Sequence, residues 1–128
     1  MNTDARVDLL APPDDAAVRQ ALRYFARAIR DAYGDRVKGI YLFGSRARGD
    51  HTPDSDADVV VVLADGKWSY WAEKMRLAGM EYDAIIQTGA EPQAWPVRES
   101  EWLNPSIHRN PRLIQAMQRD ARPIELGS

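Results

Sequence analysis

The sequence predicts an α/β domain, a small mixed β-sheet with helices packed mainly on one face. Three observations predict it. Val37–Phe43 and the run Val59-Val60-Val61-Val62-Leu63 read as strands, the second apolar enough to be buried on both faces. Val18, Leu22, Phe25 and Ile29 recur at helical spacing ahead of them. Trp68, Trp71, Met75 and Ala78 repeat that spacing after them, and a helical crossover favours a parallel strand on its far side.

Residues 1–13, ending in Ala11-Pro12-Pro13, read as a flexible arm, and 14–126 as a single domain. Asp14 is placed to cap the first helix and Gly34 to stop it. Residues 44–55 form a loop with room for one helical turn, and the second strand spans 56–63. Asp65-Gly66 makes a turn. The crossover helix is expected to end near Leu77, with Gly79 as its stop, and 81–87 to form the third strand. Pro92, Pro96 and Pro105 make 88–105 irregular or broken helix. The last helix covers 107–119, with Pro111 near its start, and 122–126 is a short edge strand. Gly127-Ser128 reads as native or as a cloning scar.

The 128 residues are 45% hydrophobic and 28% charged, a globular mix able to bury one core. A formal net charge of −2 argues against a broad nucleic-acid-binding face. There is no Cys, and His51 and His108 lack ligand spacing, which excludes disulfides and thiolate zinc sites. With no signal peptide or membrane-length apolar run, the expected compartment is the cytoplasm, with no membrane partner.

The chemistry-bearing stretch is Gly44-Ser45-Arg46-Ala47-Arg48-Gly49, followed by Asp56-Ala57-Asp58. Alternate strand residues share a face, so Asp56 and Asp58 point one way with backbones roughly 7 Å apart. Paired carboxylates repel, and a hard divalent cation such as Mg²⁺ or Mn²⁺ relieves that repulsion. If the first two strands are antiparallel, Gly44-Ser45 meets this pair at one sheet edge. Asp83, on the expected third strand, lands beside it. Three carboxylates can hold cations and leave an oxygen to act as a base. Gly44 admits a phosphate to the backbone, Ser45 offers a hydroxyl, and Arg46 and Arg48 can neutralise phosphate oxygens. Gly44 and Gly49 also match half a P-loop, but Asp50-His51 stand where Lys and Ser or Thr are required. Arg48-Gly49-Asp50 spells an adhesion tripeptide, read here as coincidence.

Gly-Ser, ten residues, then Asp-x-Asp, with a later third Asp, resembles the minimal nucleotidyltransferases of the DNA polymerase β-like superfamily. Asn110-Pro111-Arg112-Leu113-Ile114 is a weaker match. The resemblance covers roughly 14–126. It implies the polymerase β-like nucleotidyltransferase fold and AMP transfer from ATP to a hydroxyl, assisted by two Mg²⁺ ions. It implies that Asp56 and Asp58 ligate both metals. Asp83 would ligate the catalytic one and help deprotonate the acceptor, and Gly44 and Ser45 would hold the β- and γ-phosphates. Members of the MntA type are antitoxins that modify a tyrosine of a HEPN-domain toxin, so a hetero-oligomer is expected. The alternatives are an antitoxin that masks its toxin by binding alone and a transferase acting on a small molecule such as an aminoglycoside. Among the remaining residues, Trp71 and Tyr82 are expected in the core. His51 is expected in a loop and Lys74 on a solvated face, although Lys74 could reach a triphosphate. Some tryptophans could instead form a partner patch.

Overall fold

The computed structural model describes residues 13–124, so most of the expected arm (1–12) and the end of the expected edge strand (125–126) lie outside the described residues. The first helix, α1 (Asp15–Tyr33), begins where Asp14 Oδ1 accepts the Ala17 N–H at 2.8 Å. It ends at Gly34, whose φ of 56° few other residues adopt. Its buried face carries Val18, Leu22, Phe25 and Ile29 at the expected spacing. Then come β1 (Val37–Phe43), a one-turn helix α2 (Ser45–Arg48) and β2 (Ala57–Leu63).

The crossover helix is longer than its sequence suggests. α3 runs over Tyr70–Thr88, and the strand expected at 81–87 is its second half. The buried positions Leu77, Glu81 and Ala84 continue one helical face straight past Gly79. A Cβ at Gly79 would meet nothing within 4 Å, so that glycine weakens the helix by about 1 kcal/mol without ending it. Gly89 is the true stop, at φ 82° with its N–H bonded to Ile85 O. Trp71 and Tyr82, expected in the core, are 68% and 64% exposed on this helix.

The third strand is β3 (Pro92–Arg98), within the segment expected to be irregular. It is an edge strand in a sheet of order β3-β2-β1 with a two-residue β4 (Arg122–Pro123) beyond β1. Ala94 turns its N–H and C=O away from β2, toward Glu81 and Lys74 of α3. Pro92 and Pro96 share that parity, so their missing N–H groups fall on the open edge, where no ladder bond is lost. β3 pairs parallel to β2, while β1 pairs antiparallel to β2 and to β4. The helices α4 (Glu99–Leu103) and α5 (Pro111–Asp120) complete the chain, and Asn110 caps α5 by accepting the Leu113 N–H.

β2 is the spine. Val59, Val61 and Leu63 face α1 and α3, while Val60 and Val62 face Ile114 and Met117 of α5. All five residues from Val59 to Leu63 are at most 2% exposed, as a strand covered on both faces requires. The register of β2 against β1 sets Leu42 opposite Val59 and Phe43 opposite Asp58, which places the start of β2 beside the end of β1.

Candidate active site

Asp58 pairs with Phe43 across β1 and β2, so the chain leaving β1 turns directly over the Asp58 carboxylate. That turn is Gly44, at φ 78° and ψ −160°, a region open in practice only to glycine. A Cβ there would lie 2.8 Å from Asp58 Oδ2. Ser45 follows as the first residue of α2, where the opening backbone N–H groups have no intrahelical acceptor.

Asp58 is partly buried and Asp56, one residue ahead of β2, is exposed. Burial first, and the nearby Asp56 charge second, push the Asp58 carboxyl above the usual carboxylate range; a hydrogen bond from the Trp95 side chain and the Lys74 charge act against this. Two carboxylates in this state suit a divalent cation, and Mg²⁺ is commonly held by one or two carboxylates completed by substrate phosphate and water. Among the described residues, no three His, Cys, Asp or Glu side chains stand close enough together to hold a metal by themselves.

Asp83 is not brought to this edge by a strand, because its segment is helical. It sits exposed on α3, which packs against the other face of the sheet. The guanidinium groups of Arg46 and Arg48 are engaged elsewhere. Arg46, with only 5% of its side chain exposed, donates to the carbonyls of Ser55 at 2.9 Å and Pro53 at 3.2 Å and pairs with Asp15 at 3.3 Å. It therefore shapes the loop that leads into Asp56. Arg48 pairs with Asp120 at 2.8 Å, joining α2 to α5, and with Asp50 at 3.2 Å. His51 lies in the loop as expected, 3.0 Å from Asp15.

A nucleotidyltransferase-domain family model matches residues 22–116. The chain belongs to this family. The nucleotidyltransferase is similar to "Putative protein adenylyltransferase MJ0604" of Methanocaldococcus jannaschii, 33% identical over 71% of this chain and 87% of the relative. It is also similar to "Putative protein adenylyltransferase MJ1379" of the same organism, at 35% identity over 47% of this chain and 58% of that one. A solved structure titled as a putative nucleotidyltransferase from Sulfolobus solfataricus superposes with a TM-score of 0.44 at 16% identity, covering 69% of this chain and 78% of that one. The protein is thus an enzyme of the nucleotidyltransferase/adenylyltransferase family with a polymerase β-like α/β fold.

Three residues near the candidate site were not assigned to it from the sequence. Glu91 precedes β3 by one residue, as Asp56 precedes β2, and Ala57 pairs with Pro92, so the two carboxylates stand on adjacent strand starts about 5 Å apart in backbone. Both line an open cleft of about 510 Å³ with Ser55 and the Val18 side of α1. Trp95 lies on the Asp58 face of β3. Lys74, expected on a solvated face, instead reaches past the edge of β3, donates to Ala94 O and stands 3.9 Å over the Trp95 ring. The signal for Glu91 was a helix stop followed closely by an acid, Gly89-Ala90-Glu91, obscured by reading Gly79 as the stop. In the sequence Lys74 reads only as a residue that could reach a triphosphate, and its contact with β3 is not foreseen there.

Proposed function

We propose that this enzyme transfers AMP from ATP to a hydroxyl of a partner protein, with a tyrosine of a HEPN-domain toxin as the expected acceptor. The observation that carries the reading is Gly44 folded against Asp58, which sets a phosphate-accessible turn beside paired carboxylates. The names of the Methanocaldococcus relatives point to protein acceptors. Asp56 and Asp58 would hold Mg²⁺, which when bound supplies charge neutralisation for the triphosphate. The Gly44 turn, Ser45 and the first amides of α2 would receive the phosphate oxygens.

In the proposed step the acceptor oxygen forms a bond to the α-phosphorus, and the bond from that phosphorus to the pyrophosphate oxygen breaks. Glu91, exposed beside Asp56, would take the acceptor's proton, the role that the sequence assigned to Asp83. A hollow of about 560 Å³ beside Trp95, bounded by Ile107 and Leu113, offers room for the segment bearing the acceptor.

The test uses labelled ATP, Mg²⁺ and the product of the neighbouring gene, with intact mass reporting AMP units on the partner. Asp56→Ala/Asp58→Ala is expected to abolish transfer. Glu91→Gln is expected to lower the rate about 100-fold or more, and Asp83→Asn to leave it intact. Transfer by the double variant at the wild-type rate would remove the metal assignment. Neutralisation of the toxin without any transfer would make the protein a masking antitoxin instead.

A further inference from the structure

The outer face of α3 is apolar along its length. Trp71, Met75, Tyr82 and Ile86 are 68%, 59%, 64% and 63% exposed. At 3.6 residues per turn they fall within an arc of about 60°, opposite the Leu77 and Ala84 face that packs on the core. None of them lines the cleft that holds Asp56 and Glu91.

The stripe is symmetric about its own middle. Trp71 and Ile86 are equidistant from the junction of Ala78 and Gly79, and so are Met75 and Tyr82. Gly79 has no role within the monomer that its surroundings explain, since its Cβ position is open and a mid-helix glycine is unfavourable. It does allow a second backbone to approach beside the stripe, at its midpoint along the helix.

From this we infer that α3 is a homodimer interface, in which two copies of the chain pack their α3 helices antiparallel about a two-fold axis near Gly79. Trp71 of each copy then meets Ile86 of the other, and Met75 meets Tyr82. The charges agree. Arg76 and Asp83 lie along one flank of the stripe; Arg76 rests 4.5 Å over the Tyr33 ring and donates to Ala32 O at 3.3 Å, and the antiparallel arrangement brings Asp83 of the other copy toward that guanidinium, twice. An aromatic side chain offers roughly 150–250 Å². Four large side chains about two-thirds exposed therefore give on the order of 500 Å² per copy, and the pair reaches the lower bound of roughly 1,000 Å² for a specific interface. Asp83, misplaced at the catalytic edge by its sequence, acquires a role here.

The inference does not depend on the nucleotidyl-transfer reading. Light scattering of the full chain at tens of micromolar is expected to give twice the 14.4 kDa chain mass. Met75→Glu/Tyr82→Glu is expected to give a monomer with an unchanged helical circular-dichroism signal. Because the natural chain has no Cys, single cysteines report the axis. Under mild oxidation Gly79→Cys should yield a covalent dimer and Ile86→Cys alone should not, whereas Trp71→Cys mixed with Ile86→Cys should cross-link. A wild-type monomer at 100 μM (the face then belonging to another protein), or Ile86→Cys cross-linking as readily as Gly79→Cys, would overturn the inference.

Discussion

Replacing Gly44 by alanine tests the link between the turn and the carboxylates. The substitution acts twice. At φ 78° and ψ −160° a side chain is strained by about 1–3 kcal/mol. At roughly 4 °C per kcal/mol for a domain of this size, melting should fall by about 4–12 °C. The new Cβ would also stand 2.8 Å from Asp58 Oδ2, and since ordinary contact begins at 3.4 Å the carboxylate must retreat by about 0.6 Å. Displacements of that order cost sites of this kind about tenfold or more. Gly49→Ala is the control. It is also at positive φ, 86°, but its Cβ position is open, so it should lose roughly 1–2 kcal/mol of stability and nothing in ligand binding. The assay is calorimetric titration of ATP with and without Mg²⁺, paired with thermal melts, and needs no acceptor. Wild-type Mg²⁺-dependent ATP affinity in the Gly44→Ala protein would refute the argument that this close approach positions Asp58.

Asp58→Asn should raise the melting temperature at neutral pH without Mg²⁺. The Asp58 pKa is raised in the fold, so its contribution to stability is complete below the unfolded value of about 3.9 and is lost as pH rises through the folded value. The gain from the substitution should accordingly be larger at pH 7 than at pH 4, and added Mg²⁺ should stabilise only the wild type. Lys74→Met should cost about 1–2 kcal/mol in chemical denaturation, through the lost cation–π contact and hydrogen bond and the charge left on buried Glu81, while sharpening Asp58's response to Mg²⁺. Arg46→Met should raise amide exchange across residues 50–56 and weaken Mg²⁺-dependent ATP binding, because three loop carbonyls lose their donor.

Much of this architecture was legible in the sequence, because the signals were local and redundant. Asp14, Gly34 and the apolar face between them specified α1, and the all-apolar β2 announced burial on two faces. The Gly44 and Asp58 juxtaposition followed from one antiparallel pairing. What failed was decided by tertiary context. Gly79 is a stop signal in isolation, yet the Leu77, Glu81 and Ala84 face packs continuously and carries the helix through it. Pro92 and Pro96 argue against a strand unless their parity on an open edge is known, and parity depends on which side β2 lies. The sequence shows the charges of Arg46 and Arg48 but not the carbonyls and carboxylates that each meets across the fold.

Asp56 and Asp58 stand in unequal surroundings. Asp58 lies close against Gly44 and accepts the Trp95 hydrogen bond; its partial withdrawal from water, together with the Asp56 charge, disfavours its ionised form. Asp56 stays exposed at the mouth of the cleft. The same edge carries its own compensation. Lys74 lies between Asp58 and Glu81, where burial depresses its pKa while both carboxylates raise it, and it is anchored to the backbone of β3 and to Trp95. A lysine so placed lessens the repulsion around Asp58. If the site takes nucleotide as proposed, one fixed ammonium would not neutralise two carboxylates and a triphosphate, and a divalent cation would be favoured there. Under the proposed reading, Arg46 and Arg48 hold the loops, and a triphosphate would draw on Lys74 and a divalent cation for part of its neutralisation.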